Sequence, residues 1–238
     1  NQTSANAIID WEAFSIQAGE LTRFLQPGTN AAVLNRVTGG NPSEIHGALQ
    51  ANGSVFVINP NGILVGAGGT IDVHGLVLST LDVDNGEFLA RGDMVFKGAG
   101  DAGVTNLGRI NAIGGDVFLI GKTVTNSGSI HATSSGAGDA SILIEAAYAK
   151  VDGELRAERL SGGAGTASVK IAASEAAETG ATVRAHSVGS IGGTVEVESE
   201  HIAVAADSLI DASGSLGGGS VRIGGGFQGN DPAFANAR

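Results

Sequence analysis

Apolar positions in this chain alternate with variable ones, and the alternation recurs at a nearly fixed interval. Val117/Leu119, Ile142/Ile144, Val169/Ile171, Val195/Val197 and Val221/Ile223 each set two aliphatic side chains about one intervening residue. Successive copies stand 25, 27, 26 and 26 residues apart. Each follows a glycine-rich turn, Gly114-Gly115, Gly136-Ala137-Gly138, Gly162-Gly163, Gly192-Gly193 or Gly217-Gly218-Gly219. Side chains of a strand point alternately to its two faces, so this period-two pattern bounded by glycine predicts half-buried strands.

A second pattern keeps step with the first. An aliphatic residue, a variable one and an alanine recur in Ile110-Asn111-Ala112, Ile130-His131-Ala132, Leu155-Arg156-Ala157, Val183-Arg184-Ala185 and Ile210-Asp211-Ala212. Gly108, Gly128, Gly153 and Gly180 stand two or three residues ahead of the first four copies. Two strands per coil of roughly 25 residues predict an all-β solenoid, a right-handed parallel β-helix of about nine coils stacked ~4.8 Å apart. One coil cannot bury its own aliphatic residues, so stability comes from stacking. Glycine is expected at tight corners that need positive φ. No window carries a helical apolar pattern over three turns; the one helix-like run, Ala172 to Ala177, is too short to stand alone. Residues 1–36 differ, holding Trp11, Phe14, Phe24 and the turn Pro27-Gly28, and are expected to form an N-terminal β cap on coils spanning 37–238.

Composition supports a narrow core. Hydrophobic residues make up 42% of the 238 but aromatics only 4%, so small aliphatic side chains must fill the interior. The 39 glycines follow no Gly-X-Y period, which excludes collagen, and the apolar content excludes disorder. A net charge of −11 with no basic tract argues against nucleic acid as a partner. Without Cys there is neither a disulfide framework nor a thiolate metal site. No apolar run approaches the ~20 residues that span a bilayer. Asn1 opens directly in polar, strand-like sequence, so either a targeting segment has been removed or the sequence starts after one.

Several constellations invite catalysis or ligation and fail on spacing. Glycan-cleaving β-helices need two or three carboxylates, or Asp with Lys or Arg, converging on adjacent coils. Asp116, Asp139 and Lys122 flank the first pattern and Glu196 and Glu198 lie further on, yet Asp116 aligns with Ser141, Ser168, Thr194 and Ser220, a polar corner. His46, His74, His131, His186 and His201 lack ligand spacing, and His131 aligns with the outward Asn111, Arg156 and Arg184. Gly98-Ala99-Gly100-Asp101 and Gly136-Ala137-Gly138-Asp139 miss the nonapeptide repeat of calcium-binding solenoids. Gly121-Lys122-Thr123 fails as a phosphate loop because Asp116 stands where its first glycine belongs. Neither catalytic residues nor a metal or cofactor is expected.

One turn stands out chemically. Asn59-Pro60-Asn61-Gly62 joins Val55-Phe56-Val57-Ile58 to Ile63-Leu64-Val65. Proline pre-sets φ at the second position of a turn, Asn bonds its own backbone, and Gly admits positive φ. The turn can set register, present polar groups to a partner, or do both.

With Asn35-Arg36-Val37, Asn41-Pro42-Ser43 and Ala51-Asn52-Gly53, this turn closely resembles the secretion domain of filamentous haemagglutinin-like exoproteins, the haemagglutination activity domain family exported by two-partner secretion. Ala7 to Trp11, Phe14 to Ile16, Gln26-Pro27, Gly69 to Leu81 and the closing run Gly224 to Asn230 extend the likeness over most of the chain. The second asparagine motif of some members is absent, its region reading Gln26-Pro27-Gly28-Thr29-Asn30. The resemblance implies a secretion and folding-nucleation module of a much longer adhesin- or haemagglutinin-like exoprotein. Its partner would be an outer-membrane β-barrel transporter with periplasmic recognition domains. It would reach the surface of a Gram-negative-type bacterium via the periplasm, as a monomer, and engage a host or cell-surface receptor or glycan through its downstream part. The residues expected to carry recognition or folding are Asn35, Arg36, Asn41, Pro42, Asn59, Pro60, Asn61 and Gly62. The same module in a self-transporting adhesin, or a carbohydrate-active β-helix enzyme, are the alternatives.

Overall fold

The computed structural model describes residues 1–98, 100–136, 138–161, 165–225 and 236–237. Nine strands climb one parallel sheet: Asn6–Trp11, Ala32–Val37, Ser54–Ile58, Gly75–Ser79, Val117–Asn126, Ala140–Val151, Ala167–Thr179, Thr194–Glu198 and Ser220–Ile223. Eight more form a second: Leu21–Phe24, Ala48–Ala51, Thr70–Val73, Arg109–Ile113, Ser129–Ser134, Glu154–Arg159, Thr182–Ser187 and Leu209–Asp211. The chain is a parallel β-solenoid of about 8 turns with ~26 residues in each.

The aliphatic residues stack in columns, as the sequence pattern requires. Val117 pairs with Ile142, Ile142 with Val169, Val169 with Val195 and Val195 with Val221. Below them the column continues through Leu76, Val55 and Val33 to Ala7. The opposing sheet contributes Ile110, Ile130, Leu155 and Val183, with Ala112, Ala132, Ala157 and Ala185 beside them, all fully buried. Each buried Val, Leu or Ile contributes about 1.5–3 kcal/mol. That contribution depends on a rung above and below: Val221, in the last described rung, is 46% exposed.

The glycines ahead of the second sheet's strands have a reason other than positive φ. A Cβ on Gly128 would collide with the Gly108 carbonyl oxygen, and one on Gly153 with that of Gly128. Successive turns approach so closely there that a side chain has no room.

Two sequence expectations need correction. First, most coils carry a third strand. Ser43–Ile45, Ile63–Val65 and Gly103–Asn106 pair in parallel and run into the later halves of Val117–Asn126, Ala140–Val151 and Ala167–Thr179, then His201–Val204. The long strands bend around a corner, and a register shift between Ala146 and Tyr148 marks the bend. The helix-like run Ala172 to Ala177 lies within one of these strands, because ladder bonds to both neighbouring rungs outweigh alanine's helix preference. Second, a helix does form, at Asn85–Ala90 (α1), in an excursion between Ser79 and Gly103. Asp84 caps it, accepting from the Gly86 and Glu87 amides at 2.7 and 3.2 Å.

The excursion covers the outward face of the first sheet. Phe88 packs edge-on to Phe56 with ring centroids 5.2 Å apart, and with Ala32, Leu34, Ile58, Val77 and Val83 it makes a second apolar cluster outside the solenoid. Residues 1–36 form a rung of the same parallel kind at the end of both sheets, with Trp11 and Phe24 packed against the core. Ala99, Ala137, Gly162 and Gly163 of the glycine turns, and Gly226 to Asn230 of the closing run, lie outside the described residues.

Candidate recognition site

The turn Asn59-Pro60-Asn61-Gly62 closes with the Gly62 amide on the Asn59 carbonyl at 3.1 Å, and Gly62 takes φ +114, which glycine permits. The Asn59 side chain faces inward and is fully buried. Its Nδ2 donates to the Asn41 carbonyl at 3.0 Å and to Ser43 Oγ at 2.9 Å. Its Oδ1 accepts from the Asn61 amide at 2.9 Å and from Asn61 Nδ2 at 3.1 Å. Asn61 Nδ2 also donates to the Gly39 carbonyl at 2.7 Å. One asparagine thus ties its own turn to the loop 39–42 of the coil below, and the Ser43 amide donates back to the Gly62 carbonyl at 2.9 Å.

This corner gathers six of the eight residues singled out from sequence. Asn41, Pro42, Pro60 and Asn61 are exposed, whereas Asn59 and Gly62 are buried. The other two lie elsewhere. Asn35 is fully buried in an aliphatic column, its Nδ2 donating to the Phe56 carbonyl at 3.1 Å and its Oδ1 accepting from Trp11 Nε1 at 3.1 Å. Arg36 faces outward and holds the excursion, with Nε on Asp82 Oδ1 at 2.9 Å, Nη2 on the Val83 carbonyl at 2.9 Å and Asp10 at 3.5 Å. Strand alternation sets Asn35 on the inward face with Val33 and Val37 and Arg36 on the outward face with Leu34.

Two further polar staples join coils: one uses Gln26 and Asn52 of the motifs already singled out, and the other, Asn106 with Asn126, was not among them. Gln26 and Asn52 exchange backbone-to-amide bonds at 2.8 and 2.9 Å, and Gln26 Oε1 accepts from the Gly53 amide at 2.8 Å. Asn106 Nδ2 donates to Asn126 Oδ1 at 2.7 Å, both side chains fully buried. The shared spacing of Asn106-Leu107-Gly108 and Asn126-Ser127-Gly128 was the available signal.

The groups weighed for chemistry are dispersed into structural pairs. Lys122 bonds the Asp101 carboxylate, an exposed pair that lowers the pKa of the acid and raises that of the base. Asp139 accepts from the Thr166 amide at 2.7 Å. Glu196 and Glu198 flank Lys170 at 3.9 and 3.0 Å, and Arg222 reaches Glu196 at 3.2 Å. His131 meets Glu154 at 3.1 Å. Burial pushes the Asp116 carboxyl above its ordinary value, with Ser141 opposing that shift. Among the described residues no group of three or more His, Asp or Glu could hold a metal ion.

Fold and corner together define a class: a parallel β-solenoid whose buried polar side chains tie one coil to the next. The chain belongs to the TPS secretion domain family, whose description matches residues 1–231. It resembles the crystal structure of the HMW1 secretion domain from Haemophilus influenzae with a TM-score of 0.76 and 27% identity, over 99% of this chain and 76% of that one. It is 38% identical over 148 residues to a heme/hemopexin-binding protein of Haemophilus influenzae (strain ATCC 51907 / DSM 11121 / KW20 / Rd), covering 57% of this chain and 16% of the relative. Another heme/hemopexin-binding protein of Haemophilus influenzae is 45% identical over 83 residues, 35% of this chain and 9% of the relative. The chain thus spans less than a fifth of the length of these curated relatives.

The molecule is the two-partner secretion domain of a large exoprotein, a non-enzymatic module of a secreted or surface protein of a Gram-negative bacterium. Membership implies recognition by an outer-membrane transporter.

Proposed function

We propose that the exposed corner Asn41-Pro42 and Pro60-Asn61 is what the transporter's periplasmic domains read, while Asn35, Arg36, Asn59 and Gly62 hold the coils that present it. The observation that carries this reading is the division of burial within one short motif: Asn59 and Gly62 face the interior, Pro60 and Asn61 face solvent. Two prolines and two amides from adjacent coils make a stiff surface that loses little entropy on binding. The terminal rung, residues 1–36, acts in this reading as the cap from which stacking begins, with Trp11 and Phe24 over the first aliphatic layer.

The test is binding of the folded domain to purified periplasmic domains of the cognate transporter. A Pro42→Ser/Pro60→Ser/Asn61→Ala variant should fold with its far-UV spectrum intact and bind at least about tenfold more weakly, as loss of a small hot spot does. Unchanged binding by a folded variant would move recognition elsewhere. Ligand capture by the full protein, whether a host receptor, a glycan or the haem and hemopexin named for its relatives, we assign to regions downstream of this module.

A further inference from the structure

The excursion does not cover the outer apolar cluster completely. Two adjoining hollows of about 300 and 210 Å³ lie beside α1 and share Ser54, Phe56, Arg91 and Met94 in their linings. Phe56 and Val77 of the sheet's outward face, with Phe118 one rung on, line the larger, and Phe88 lines the smaller. Arg91 is the one Lys or Arg lining either hollow. It is exposed, sits in the left-handed cap of α1 at φ +55, and forms no ion pair among the described residues. The secretion module as read above uses neither hollow.

Thr29, Asn30, His74 and Asp116 also line the larger hollow, so it is a partly closed cleft of mixed lining and of a size that takes a small molecule. An unpaired guanidinium beside an aromatic lining selects for charge as well as shape, since it bonds carboxylate or phosphate oxygens in a fixed fork. We propose that this cleft binds an amphipathic anion, its apolar chain or ring on Phe56, Val77 and Phe118 and its acidic head on Arg91. The anion can be a free carboxylate or the head of an anionic lipid. The head group is placed on Arg91 and away from Asp116, whose carboxylate also lines the larger hollow.

The test titrates dodecanoate into the folded domain against bound 1-anilinonaphthalene-8-sulfonate, with dodecyltrimethylammonium as the control of opposite sign. Phosphatidylglycerol and phosphatidylcholine vesicles provide a flotation arm. Dodecanoate should displace the probe saturably at one site, and the cation should not. Arg91→Gly should weaken binding about tenfold, the equivalent of one charge-assisted bond. It should leave the unfolding midpoint unchanged or higher, because Gly relaxes the left-handed backbone. Met94→Trp should fill the shared lining and abolish binding with the guanidinium in place. Flotation with phosphatidylglycerol alone, lost in Arg91→Gly, would assign the anion to a membrane lipid. Displacement that ignores Arg91→Gly, equal displacement by the cation, or no binding of either anion would overturn the proposal.

Discussion

Asn59→Ala separates the structural work of the asparagine turn from its display. The substitution removes four hydrogen bonds: two donated by Nδ2, to the Asn41 carbonyl and Ser43 Oγ, and two accepted by Oδ1 from Asn61. Each is worth about 1 kcal/mol net, and a buried hydroxyl left without its partner costs a further 1–3 kcal/mol. Ser43 is fully buried, so its hydroxyl meets that condition. Asn41 is exposed and water can serve it. The expected loss is about 5–7 kcal/mol. Asn61→Ala forfeits only bonds at an exposed position, to the Gly39 carbonyl and Asn59 Oδ1, and should cost about 1 kcal/mol or less. Urea unfolding followed by Trp11 fluorescence reads the N-terminal coils, because the one tryptophan bonds Asn35 and its carbonyl accepts from the Thr38 amide at 2.8 Å. An Asn59→Ala midpoint no lower than that of Asn61→Ala, with equal slopes, would refute the assignment of the buried amide as the clasp between coils.

Further expectations follow from the same contacts. Gly128→Ala drives a Cβ into the Gly108 carbonyl and should cost about 3 kcal/mol. Gly40→Ala, with open space around it, should be nearly silent in the same melt. Val169→Ala, fully buried between Ile142 and Val195, removes two methyl-sized groups and leaves a void, a loss of about 2–3 kcal/mol in chemical denaturation. Burial raises the folded-state pKa of Asp116 above its ordinary 3.8, so the fold binds that proton more tightly than the unfolded chain. Its charge therefore opposes folding increasingly as pH rises from 3.8 through the folded value. Asp116→Asn should be more stable than wild type at neutral pH, with the gap in melting midpoint closing on acidification. Lys122→Ala breaks only an exposed pair with Asp101 and should leave the midpoint unchanged at moderate salt.

What could be read from sequence was whatever repeats. The columns through Val117 and Ile110 announce themselves because every rung needs the same kind of side chain in the same place, and their registers match residue for residue. The third face escaped notice because its inward positions are not uniformly aliphatic: Val104, Val124, Ala149 and Ala177 share one column, while Asn106, Asn126, Val151 and Thr179 share the next. The helix α1 was missed because six residues cannot show periodicity. Its signal lay in Asp84 and Glu87, a cap with an acid in the first turn, ahead of Phe88. At the candidate site the turn itself was legible from Asn-Pro-Asn-Gly, but the inward orientation of Asn59 depends on the coil below, which local sequence does not encode.

The buried amides also answer a problem that aliphatic stacking leaves open. A column of Val, Ile and Leu is nearly indifferent to which rung lies on which, since any pair buries similar area. Asn35 interrupts one column between Ile9 and Val57, and the Asn106–Asn126 pair interrupts another between Val65 and Val151. A one-rung slip would part the Asn106–Asn126 pair and strand a buried donor, at about 1–3 kcal/mol, and would take the Trp11 Nε1 donor from Asn35 Oδ1. Asn59 adds the same requirement between its turn and the loop of the coil below. The buried amides thus contribute little net stability over an aliphatic filling, but they penalise the wrong pairings, and Gln26, Asn35, Asn59, Asn106 and Asn126 mark in this way the coils from the first to the one that holds Asn126.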